Sequence, residues 1–442
     1  MSKKIHEKTS LIDKLINKTA VIGIVGLGYV GLPLAVEAAK KGYEVIGLDI
    51  NENKIESLNQ GINYVEDVRN SELQQIVEQK RFHASSNFSN IEKTDVVIIC
   101  VPTPLDKHQQ PDISYIQSAA KEIATYMHQN MLVVLESTTY PKTTEEILLP
   151  ILSESGYRVG EDFFLAFSPE RVDPGNKSFK TNNIPKVVGG VTKKCTEIAA
   201  TLYRNILEGD VHEVSSPAVA EMAKILENTF RNINIGLVNE MAIICHKMGI
   251  DVWEVIDAAA TKPFGFMPFY PGPGLGGHCI PIDPFYLSWK AKEYKYHVRL
   301  IETSSQINNY MPEFVVNRVM EILNDAKKTL NGSRVLLLGV SYKKDISDIR
   351  ESPALEVIKN LEKYGPEIEV CDPYVASFNY NGKTYKSKPL NKTTLEQADI
   401  CIIITDHSIF DYELIAQYSN IIFDTRNALK NVKDIKAKYY KL

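Results

Sequence analysis

The chain has 442 residues, of which 44% are hydrophobic and 24% are charged, and its formal net charge at pH 7 is -5. This length is too great for one small core and predicts two or three domains, each with its own apolar interior. The small net charge gives a polyanion no bulk attraction, so nucleic acid is not expected as a partner.

Cysteine usage and hydropathy indicate the compartment. The six cysteines have no CxxC spacing, and Cys100 and Cys401 stand inside apolar runs, which is typical of reduced thiols in the cytosol. No metal site is predicted. No segment approaches the roughly 20 apolar residues of a membrane span, and the N-terminus lacks the apolar region of a signal peptide. We therefore expect a cytoplasmic protein that does not bind membranes.

The first pattern along the chain is a βαβ unit. Residues 19–50 contain an apolar strand, a glycine turn, an amphipathic helix and a second strand that ends at Asp49. Apolar strands then alternate with helical patterns as far as the segment PKVVGG at residues 185–190, as in a parallel sheet. A first domain is predicted over residues 1–210.

The glycine turn GLGYVG at residues 26–31 matches G-x-G-x-x-G between a strand and a helix. In a dinucleotide site the first glycine permits the tight turn, the second lets a pyrophosphate approach the backbone, and the third allows close contact between helix and strand. The motif alone is weak, because glycine turns are common in α/β proteins. However, Asp49 follows about 20 residues later, where a carboxylate can bind the ribose hydroxyls. The predicted contacts in the turn are Gly26, Gly28, Tyr29, Val30 and Gly31.

The cofactor preference follows from the charge beside the ribose. Asp49 would repel a 2′-phosphate, which favours NAD over NADP. Lys54 follows closely in the sequence, so it is also a predicted cofactor contact and keeps a phosphate-tolerant alternative open.

The middle of the chain is helical. Residues 215–248 keep helical periodicity throughout, with Ser216 as the cap and Pro217 in the first turn. A helix of this length usually bridges domains or subunits, so we expect a homodimer or an assembly of dimers. After a loop rich in proline and glycine at 263–284, helical sequence is predicted from 288 to 328. These segments form a second predicted domain, residues 211–328.

The C-terminal part, residues 329–442, repeats the order strand, turn, helix, strand, and its second strand ends at Asp372. Its turn has no G-x-G-x-x-G motif, so this domain should not bind a dinucleotide as the first one does. Three cations, Lys343, Lys344 and Arg350, follow the strand closely and suit a phosphate group, although a solvated charged loop fits the same pattern. The predicted fold is α/β, with two Rossmann-like doubly wound lobes joined by a central helical region.

Cys279 differs from the other cysteines because it lies in a loop of glycines and prolines rather than in an apolar strand. A lone cysteine is ordinarily a small buried hydrophobe, and that interpretation suits Cys100, Cys245 and Cys401. The glycines around Cys279 would let a substrate approach the backbone, and a thiolate there could act as a nucleophile. The adjacent His278 is left without a role.

A dinucleotide domain and a nucleophilic cysteine together predict oxidation through a thiohemiacetal and a thioester. This chemistry needs a cation or amide to stabilise an oxyanion and a carboxylate to activate water. Lys224 and Asn228 share a helix face at i, i+4, although such residues ordinarily lie at the surface. Glu170 and Thr138 follow strands at the edge where α/β sheets bind ligands, and Asp283 lies four residues after the cysteine.

Seven segments in one order resemble the UDP-sugar 6-dehydrogenases. They are GLGYVG, CVPTP, ESTTYP, SPERVDPGN, AEMAKILENTFRNINIGLVNE, GPGLGGHCIPIDP and YKKDISDIRESPA. The resemblance extends from about residue 19 to residue 426, and the ordered set is far more specific than any one motif. Within the family, SPERVDPGN and the loop before the cysteine are most similar to UDP-N-acetylglucosamine 6-dehydrogenases of bacterial surface-polysaccharide pathways. The UDP-N-acetylmannosamine enzymes are also similar.

The resemblance implies an N-terminal NAD-binding domain, a central dimerisation region and a C-terminal domain that binds the UDP group. It implies that Cys279 is the nucleophile and that Lys224 and Asn228 stabilise the oxygen at C6. By the same match Asp283 and Thr138 place water, and Glu170 is an acid or base.

The resemblance also implies binding residues. The implied NAD contacts outside the glycine turn are Asp49, Thr103 and Thr138. The implied substrate contacts are Glu170, Arg171, Lys224, Asn228, Arg231, Phe269, Tyr270, Gly274, Tyr342, Lys343, Arg350 and Arg426.

The resulting hypothesis is NAD-dependent four-electron oxidation of UDP-N-acetyl-D-glucosamine at C6 to the uronic acid. The same chemistry on the N-acetylgalactosamine or N-acetylmannosamine form is the alternative, because contacts that separate such epimers are worth only about 1–3 kcal/mol each. A non-catalytic nucleotide-binding regulator is the alternative from a different class. The joint presence of Cys279, Lys224, Asn228 and Asp283 argues against it.

Overall fold

The computed structural model describes residues 10–442 except 66, 107, 174, 175, 177 and 278. The chain divides into two compact units. The first unit comprises the residues up to Glu227 together with Phe285–Lys295, and the second unit comprises Asn228–Pro284 and Tyr296–Leu442. The three-part division expected from the sequence stays a prediction, and His278 lies outside the described residues.

An eight-stranded sheet lies at the centre of the first unit. Its strands are β1 (Val21–Val25), β2 (Glu44–Leu48), β3 (Phe82–Ser85), β4 (Val96–Ile99), β5 (Leu132–Leu135), β6 (Phe164–Phe167), β7 (Lys186–Gly190) and β8 (Val211–Val214). They follow the order β3-β2-β1-β4-β5-β6-β7-β8. The first six have the order of a dinucleotide-binding sheet, and β1, β4, β5 and β6 are apolar runs, as expected of strands covered on both faces.

Helices cover both faces of this sheet, and apolar cores lie on each side of it. The helices are α1 (Leu11–Ile16), α2 (Gly31–Lys40), α3 (Glu52–Asn59), α4 (Asn70–Glu78), α5 (Ser114–Tyr126), α6 (Leu149–Ser153) and α7 (Lys193–Ile206). One detail differs from the predicted parallel sheet, because β7 pairs antiparallel to β6. The other neighbouring strands are parallel.

The central helices begin with the predicted long helix. They are α8 (Pro217–Met248), α9 (Val252–Ala260), α10 (Asp283–Ala291) and α11 (Arg299–Asp325). Ser216 caps α8 as expected, since its Oγ accepts a hydrogen bond from the N–H of Val219 at 3.4 Å. None of the helices in the described part of the chain is long and apolar enough to cross a membrane.

The helical sequence predicted from 288 to 328 is divided in the structure between the end of α10 and α11. A short 3₁₀ turn, Lys292–Tyr294, follows α10, and Lys295 then takes a left-handed conformation with φ +57°. A left-handed residue ends a helix because the next turn cannot continue the i→i−4 hydrogen bonds. The sequence resumes as α11, which contains Pro312 in its interior.

A second parallel sheet forms the C-terminal lobe. Its strands are β9 (Arg334–Leu338), β10 (Glu367–Cys371), β13 (Ile400–Ile403), β14 (Ile421–Asp424) and β15 (Lys438–Lys441), with an antiparallel hairpin of β11 (Ser377–Tyr380) and β12 (Lys383–Lys386). The sheet order is β10-β9-β13-β14-β15. Apolar cores on its two faces are covered by α11 and by α12 (Pro353–Glu362), α13 (Lys392–Gln397) and α14 (Tyr412–Tyr418). The predicted two-lobed α/β fold is confirmed.

Candidate active site

The glycine turn after β1 has the shape that a pyrophosphate requires. Gly26 has a φ angle of +94°, and a Cβ atom there would lie 2.6 Å from the carbonyl oxygen of Cys100. A Cβ atom at Gly31, the first residue of α2, would lie 1.9 Å from the carbonyl oxygen of Gly26. At Gly28 a Cβ atom would meet nothing within 4 Å. The backbone at Gly28 is therefore open to a ligand at the N-terminus of α2.

Asp49 stands directly after β2 and is held by the glycine turn. Its Oδ2 accepts a hydrogen bond from the N–H of Leu27 at 3.0 Å, and its Oδ1 accepts one from Asn51 at 3.0 Å. The Nζ of Lys54 lies 3.9 Å from Oδ2 and over the ring of Tyr64, whose hydroxyl donates to the carbonyl of Leu27. These residues fit a dinucleotide whose ribose carries free hydroxyls. Sequence reasoning missed Tyr64.

The other predicted cofactor residues lie around the same edge of the sheet. Val30 directly precedes α2, and Tyr29 is 45% exposed. Thr103 follows β4, and its carbonyl accepts a hydrogen bond from the hydroxyl of Tyr286. Thr138 follows β5 and is partly exposed. Both threonines thus lie beyond the carboxyl ends of strands, where open α/β sheets bind ligands.

A buried charge cluster lies beyond the ends of β5 and β6. The Nζ of Lys186 is 3.1 Å from Oε1 of Glu136 and 3.3 Å from Oε2 of Glu170. The hydroxyl of Tyr203 donates to Oε1 of Glu136 at 2.5 Å. Lys186 and Glu136 are each 1% exposed, and Oε2 of Glu136 has no hydrogen-bond partner among the described residues. Two carboxyl groups therefore share one buried ammonium.

The cluster drives the two carboxyl pKa values apart. Burial raises the pKa of Glu136 and outweighs the opposing effect of Lys186. Burial also acts on Glu170, but the Lys186 ammonium and the N–H groups of Val172 and Arg171 hold the pKa of Glu170 below its ordinary value. Those two N–H groups donate to Oε1 of Glu170 at 2.8 and 2.6 Å. Separation of this kind lets one carboxyl serve as a base while its neighbour keeps a proton.

Arg171 anchors the segment that carries Glu170. Its Nη2 lies 2.6 Å from Oε1 of Glu227, its Nε donates to the other oxygen, and its Nη1 donates to the carbonyl of Pro185. The structure thus gives Arg171 a local partner on α8. Lys224, one turn before Glu227 on α8, is buried.

Cys279 belongs to the second unit. All six cysteines lie among the described residues; five are buried, and Cys279 is partly exposed. Its carbonyl accepts hydrogen bonds from the N–H groups of Ile282 and Asp283, which form the turn into α10. The Nδ2 of Asn228 donates to Oδ2 of Asp283 at 2.5 Å, and both side chains are buried. Within this unit the structure therefore brings Asn228 and Asp283 together next to the cysteine loop.

The loop before Cys279 packs closely on the C-terminal lobe. A Cβ atom at Gly272 would lie 2.4 Å from Nη1 of Arg426, and a Cβ atom at Gly277 would lie 2.9 Å from the ring of Tyr342. Gly274 has a φ angle of +133°, which L side chains rarely adopt. Glycine is therefore favoured at Gly274 and at Gly277, whose φ angle is +86°, whereas the atom nearest to Gly272 is the end of a flexible side chain.

The aromatic residues of the loop are held by α8 and α9. Phe269 meets Phe230 edge to face at 5.7 Å. The ring of Tyr270 stacks on Trp253 at 6.0 Å, and its hydroxyl donates to Asp257 at 3.2 Å. These contacts orient a segment that is expected to meet the substrate.

The predicted cations of the second unit have different surroundings. Arg350 makes a two-pronged ion pair with Asp348, and Arg231 is exposed. Lys343 is partly exposed. A cavity of about 420 Å³ is lined by three further basic side chains and by aromatic rings. The lining residues include Trp253, Tyr270, Lys344, Tyr412, Arg426 and Lys430.

Besides Tyr64, two sets of residues were not found by sequence reasoning. One is the cluster of Glu136, Lys186 and Tyr203. The available signal was a charged residue at the end of each of two apolar runs, because Glu136 follows LVVL and Lys186 begins KVVGG. The other is a set of buried asparagines on α8 and α11, Asn232, Asn239 and Asn308, whose helical spacing of polar residues was the only signal.

These features define a class of protein. The strand order of the first unit, the open glycine turn with Asp49, and a partly exposed cysteine in a glycine loop describe a dinucleotide-dependent oxidoreductase built from two α/β lobes.

Family comparison narrows this class. Models of the UDP-glucose/GDP-mannose dehydrogenase family match the chain in three parts: the NAD binding domain at residues 20–207, the central domain at 218–310 and the UDP binding domain at 336–431. The chain belongs to the UDP-glucose/GDP-mannose dehydrogenase family. The predicted family and the predicted cofactor, NAD, are confirmed, and NAD-dependent UDP-sugar dehydrogenase activity is supported.

Individual relatives differ in the substrate that they are named for. The UDP-N-acetyl-D-glucosamine 6-dehydrogenase of Pseudomonas aeruginosa is 39% identical over 89% of this chain and 92% of its own length. The UDP-N-acetyl-D-mannosamine dehydrogenase of Pyrococcus horikoshii is 36% identical over 92% and 96%. A solved structure of the UDP-D-ManNAc dehydrogenase from Pyrococcus horikoshii has a TM-score of 0.86 at 33% identity and covers 95% of this chain and 98% of that one.

Proposed function

We propose that this protein oxidises the C6 hydroxymethyl group of UDP-N-acetyl-D-glucosamine to a carboxylate for the synthesis of surface-polysaccharide precursors. The observation that carries the proposal is the setting of Cys279, a partly exposed thiol in a rigid glycine loop beside the buried pair of Asn228 and Asp283. Such a setting suits covalent catalysis, because the nucleophile is accessible while a carboxylate lies close to it.

The proposed reaction has two oxidation steps and one hydrolysis. NAD accepts the hydride that leaves C6 in each oxidation step. The first step gives an aldehyde, and the Cys279 thiolate then forms a C–S bond to its carbon. Loss of the second hydride from this thiohemiacetal gives a thioester, and water breaks the C–S bond to return the thiol. One alcohol, two NAD⁺ and one water give one carboxylate, two NADH and three protons.

The protein's side chains have distinct roles in this proposal. Lys224 and Asn228, one turn apart on α8, stabilise negative charge on the oxygen at C6. Glu170, held ionised by the Lys186 ammonium, accepts protons. Asp283, together with Thr138, orients the water that attacks the thioester.

The choice of N-acetylglucosamine rests on similarity. Relatives named UDP-N-acetyl-D-glucosamine 6-dehydrogenase, from Pseudomonas aeruginosa and Salmonella typhi, are 39% and 36% identical to this chain. A mannosamine dehydrogenase at 36% identity makes UDP-N-acetylmannosamine the second candidate. UDP-N-acetylgalactosamine is the third, since it differs from the glucosamine form at one hydroxyl.

We also propose that α8 forms the interface of a homodimer. Large apolar side chains at i, i+3 and i+4 spacing stay exposed along the whole helix, and a monomer in water rarely leaves such a stripe uncovered. The stripe consists of Val219, Met222, Leu226, Phe230, Leu237, Met241, Ile244 and Met248, each at least 36% exposed.

The decisive experiment measures NADH formed per UDP-sugar consumed. UDP-N-acetylglucosamine, its galacto and manno epimers and UDP-glucose are assayed side by side. Two NADH per UDP-N-acetylglucosamine, with little turnover of the others, is the expected result. Turnover of one epimer alone reassigns the substrate, and one NADH per sugar contradicts the four-electron mechanism. No NADH from any UDP-sugar would favour the non-catalytic regulator.

A matched pair of variants tests the covalent step. Cys279→Ser is expected to stop turnover after the first oxidation or to leave an ester that hydrolyses very slowly. Cys245→Ser changes a buried cysteine of α8 in the same way and should keep the stoichiometry of two NADH. Full turnover by Cys279→Ser contradicts a covalent intermediate.

A further inference from the structure

A buried ladder of amide side chains crosses from α8 to α11 within the second unit. Asn232 and Asn239 lie two turns apart on α8, and Ser304 and Asn308 lie one turn apart on α11. The three asparagines are at most 1% exposed, and Ser304 is 6% exposed. Burying so many polar groups is unfavourable unless each has a partner. The hydrogen-bond partners of these side chains therefore identify the segments that the ladder connects.

The rungs of the ladder connect the two helices. The hydroxyl of Ser304 lies 2.9 Å from both the carbonyl oxygen and Oδ1 of Asn232 and donates its one proton there. The Nδ2 of Asn308 donates to the carbonyl of Asn232 at 3.1 Å. The Nδ2 of Asn239 donates to Oδ1 of Asn308 at 2.9 Å.

The ends of the ladder hold the cysteine loop. The Nδ2 of Asn232 donates to the carbonyl of Ile280 at 3.2 Å, directly after Cys279 in the chain. The Oδ1 of Asn239 accepts from the N–H of Gly272 at 3.0 Å. Two backbone groups that flank the segment 273–279 are thus tied to the same pair of helices.

Gly236 lets α8 and α11 approach each other closely, and Pro312 leaves a backbone carbonyl of α11 without its helical hydrogen bond. A Cβ atom at Gly236 would lie 2.3 Å from Oγ of Ser304, so a side chain at residue 236 would separate α8 from α11. Pro312 lacks an N–H, so the carbonyl of Asn308, four residues earlier, has no helical donor there. Gly274 of the cysteine loop lies next to this carbonyl. A Cβ atom on Gly274 would be 3.4 Å from both the Asn308 carbonyl oxygen and the Pro312 ring.

We propose that Asn232 and Asn239 are positioning residues that hold the Cys279 loop in its reactive place before substrate binds. Neither side chain needs to touch the substrate, because each acts through the backbone of the loop. Ser304 and Asn308 orient the two amides, so that the donor of Asn232 and the acceptor of Asn239 face the loop. This inference rests on the proposed role of Cys279.

Three variants separate positioning from general stability. Asn239→Leu keeps the approximate shape of the side chain but removes the hydrogen-bond partner of the Gly272 N–H and of the Asn308 Oδ1. Ser304→Ala is milder, since it removes one hydroxyl that orients Asn232. Ser305→Ala is the matched control: Ser305 is equally buried on the same helix, and its hydroxyl has no hydrogen-bond partner among the described residues.

The first readout is steady-state kinetics with the best UDP-sugar. We expect Asn239→Leu to lower kcat roughly 10- to 100-fold, because a displacement of about 1 Å at the reacting group costs that much. Ser304→Ala should lower kcat by about five-fold. The KM for NAD should stay within about two-fold of wild type in all three variants, and Ser305→Ala should match wild type throughout.

The second readout is hydrogen–deuterium exchange of the peptide that covers residues 274–280, which does not depend on activity. The exchange should be faster in Asn239→Leu and Ser304→Ala and unchanged in Ser305→Ala. If both variants keep kcat and loop exchange at the level of Ser305→Ala, the proposal is overturned. If Asn239→Leu does not fold, Ser304→Ala decides alone. Inactivity of the wild type with every UDP-sugar would defeat the proposed function, whereas the exchange data would still test the ladder.

Discussion

Asn228 on α8 donates a hydrogen bond of 2.5 Å to Asp283 at the first position of α10, and the two side chains are 8% and 3% exposed. The bond is between a neutral donor and an acidic side chain, so it orients Asp283 without neutralising an ionised carboxylate. A carboxylate at the N-terminus of a helix is favoured by the helix dipole. Asp283 is therefore held in place at the turn that follows Cys279, as its proposed role in orienting water requires.

Reversing this pair separates its structural role from its catalytic role. Asn228→Asp places two carboxyl groups against each other and should lower the free energy of unfolding by about 2–3 kcal/mol, with loss of kcat. The double variant Asn228→Asp with Asp283→Asn restores a donor and an acceptor. It should recover stability in a denaturant titration but not kcat, because the carboxylate has moved to α8. Recovery of kcat together with stability would contradict a role for Asp283 in hydrolysis.

The charge cluster of the first unit predicts a pH-dependent loss of stability when its cation is removed. Lys186→Met keeps the aliphatic stem but leaves Glu136 and Glu170 buried without an ammonium. Breaking a buried ion pair costs about 3–5 kcal/mol. We expect a loss of this order at about pH 8, measured by urea unfolding.

The direction in which the stability of this variant changes with pH follows from the pKa of Glu170. The pKa of Glu170 lies below 4.5 in the folded protein, so its stabilisation is present above that value and is lost as pH falls through the folded pKa. Removing Lys186 raises this pKa, so the variant is destabilised increasingly as pH rises above about 4.5. The difference from wild type should thus shrink toward about pH 5. Lys41→Met, which breaks an exposed pair with Glu208, should cost at most about 1 kcal/mol. A pH-independent loss in Lys186→Met would contradict the linkage to the carboxyl groups.

The sequence predicted features whose cause is local. The turn at Gly26, Gly28 and Gly31 follows from backbone sterics over six residues, and the structure gives each glycine the distinct environment that its position implied. The cap at Ser216 and the long helix after it are equally local. Such features could be inferred because the local sequence determines most of them, although the contact of Gly26 with Cys100 also depends on the neighbouring strand β4.

Other features depend on how distant segments meet. Glu136, Glu170 and Lys186 come together only because β5, β6 and β7 are neighbours in the sheet, and the antiparallel direction of β7 places its first residue, Lys186, beside the ends of the other two. The amide ladder depends on the crossing of α8 and α11. The residue pattern within a single segment predicts neither the charge cluster nor the amide ladder.

The two lobes offer an internal control for the cofactor site. Asp372 follows β10 as Asp49 follows β2, and its Oδ2 accepts from the N–H of Val340 at 2.7 Å. The same oxygen lies 3.0 Å from Nε2 of His407, whose Nδ1 accepts from the N–H of Asp345. Because Nδ1 is an acceptor, Nε2 donates its proton to Asp372. In the C-terminal lobe His407 thus forms a hydrogen bond with the carboxylate of Asp372, the group that the ribose of a dinucleotide would otherwise bind.

Asp49→Asn should therefore raise the KM for NAD by about ten-fold, since a hydrogen bond to a charged acceptor is worth roughly 1.5–3 kcal/mol. The KM for the UDP-sugar should change by less than about two-fold. Removing the carboxylate also frees Lys54 to meet a 2′-phosphate, so kcat/KM for NADP should rise. Asp372→Asn, the matched change in the other lobe, should leave the KM for NAD unaltered. An unchanged KM for NAD in Asp49→Asn would remove Asp49 from the cofactor site.

The exposed stripe of α8 predicts the effect of one charge on assembly. Leu237 is 53% exposed and has Met241 one turn after it on the same face. Covering this stripe with a second copy of the chain would bury the leucine, and placing an unpaired carboxylate in such an interface costs several kcal/mol. Leu237→Glu should therefore convert a dimer to a monomer in analytical ultracentrifugation. Leu300→Glu makes the same change at a leucine of α11 that is 72% exposed, and it should leave the dimer intact. A wild-type protein that sediments as a monomer, or a Leu237→Glu variant that stays dimeric, would exclude α8 as the interface.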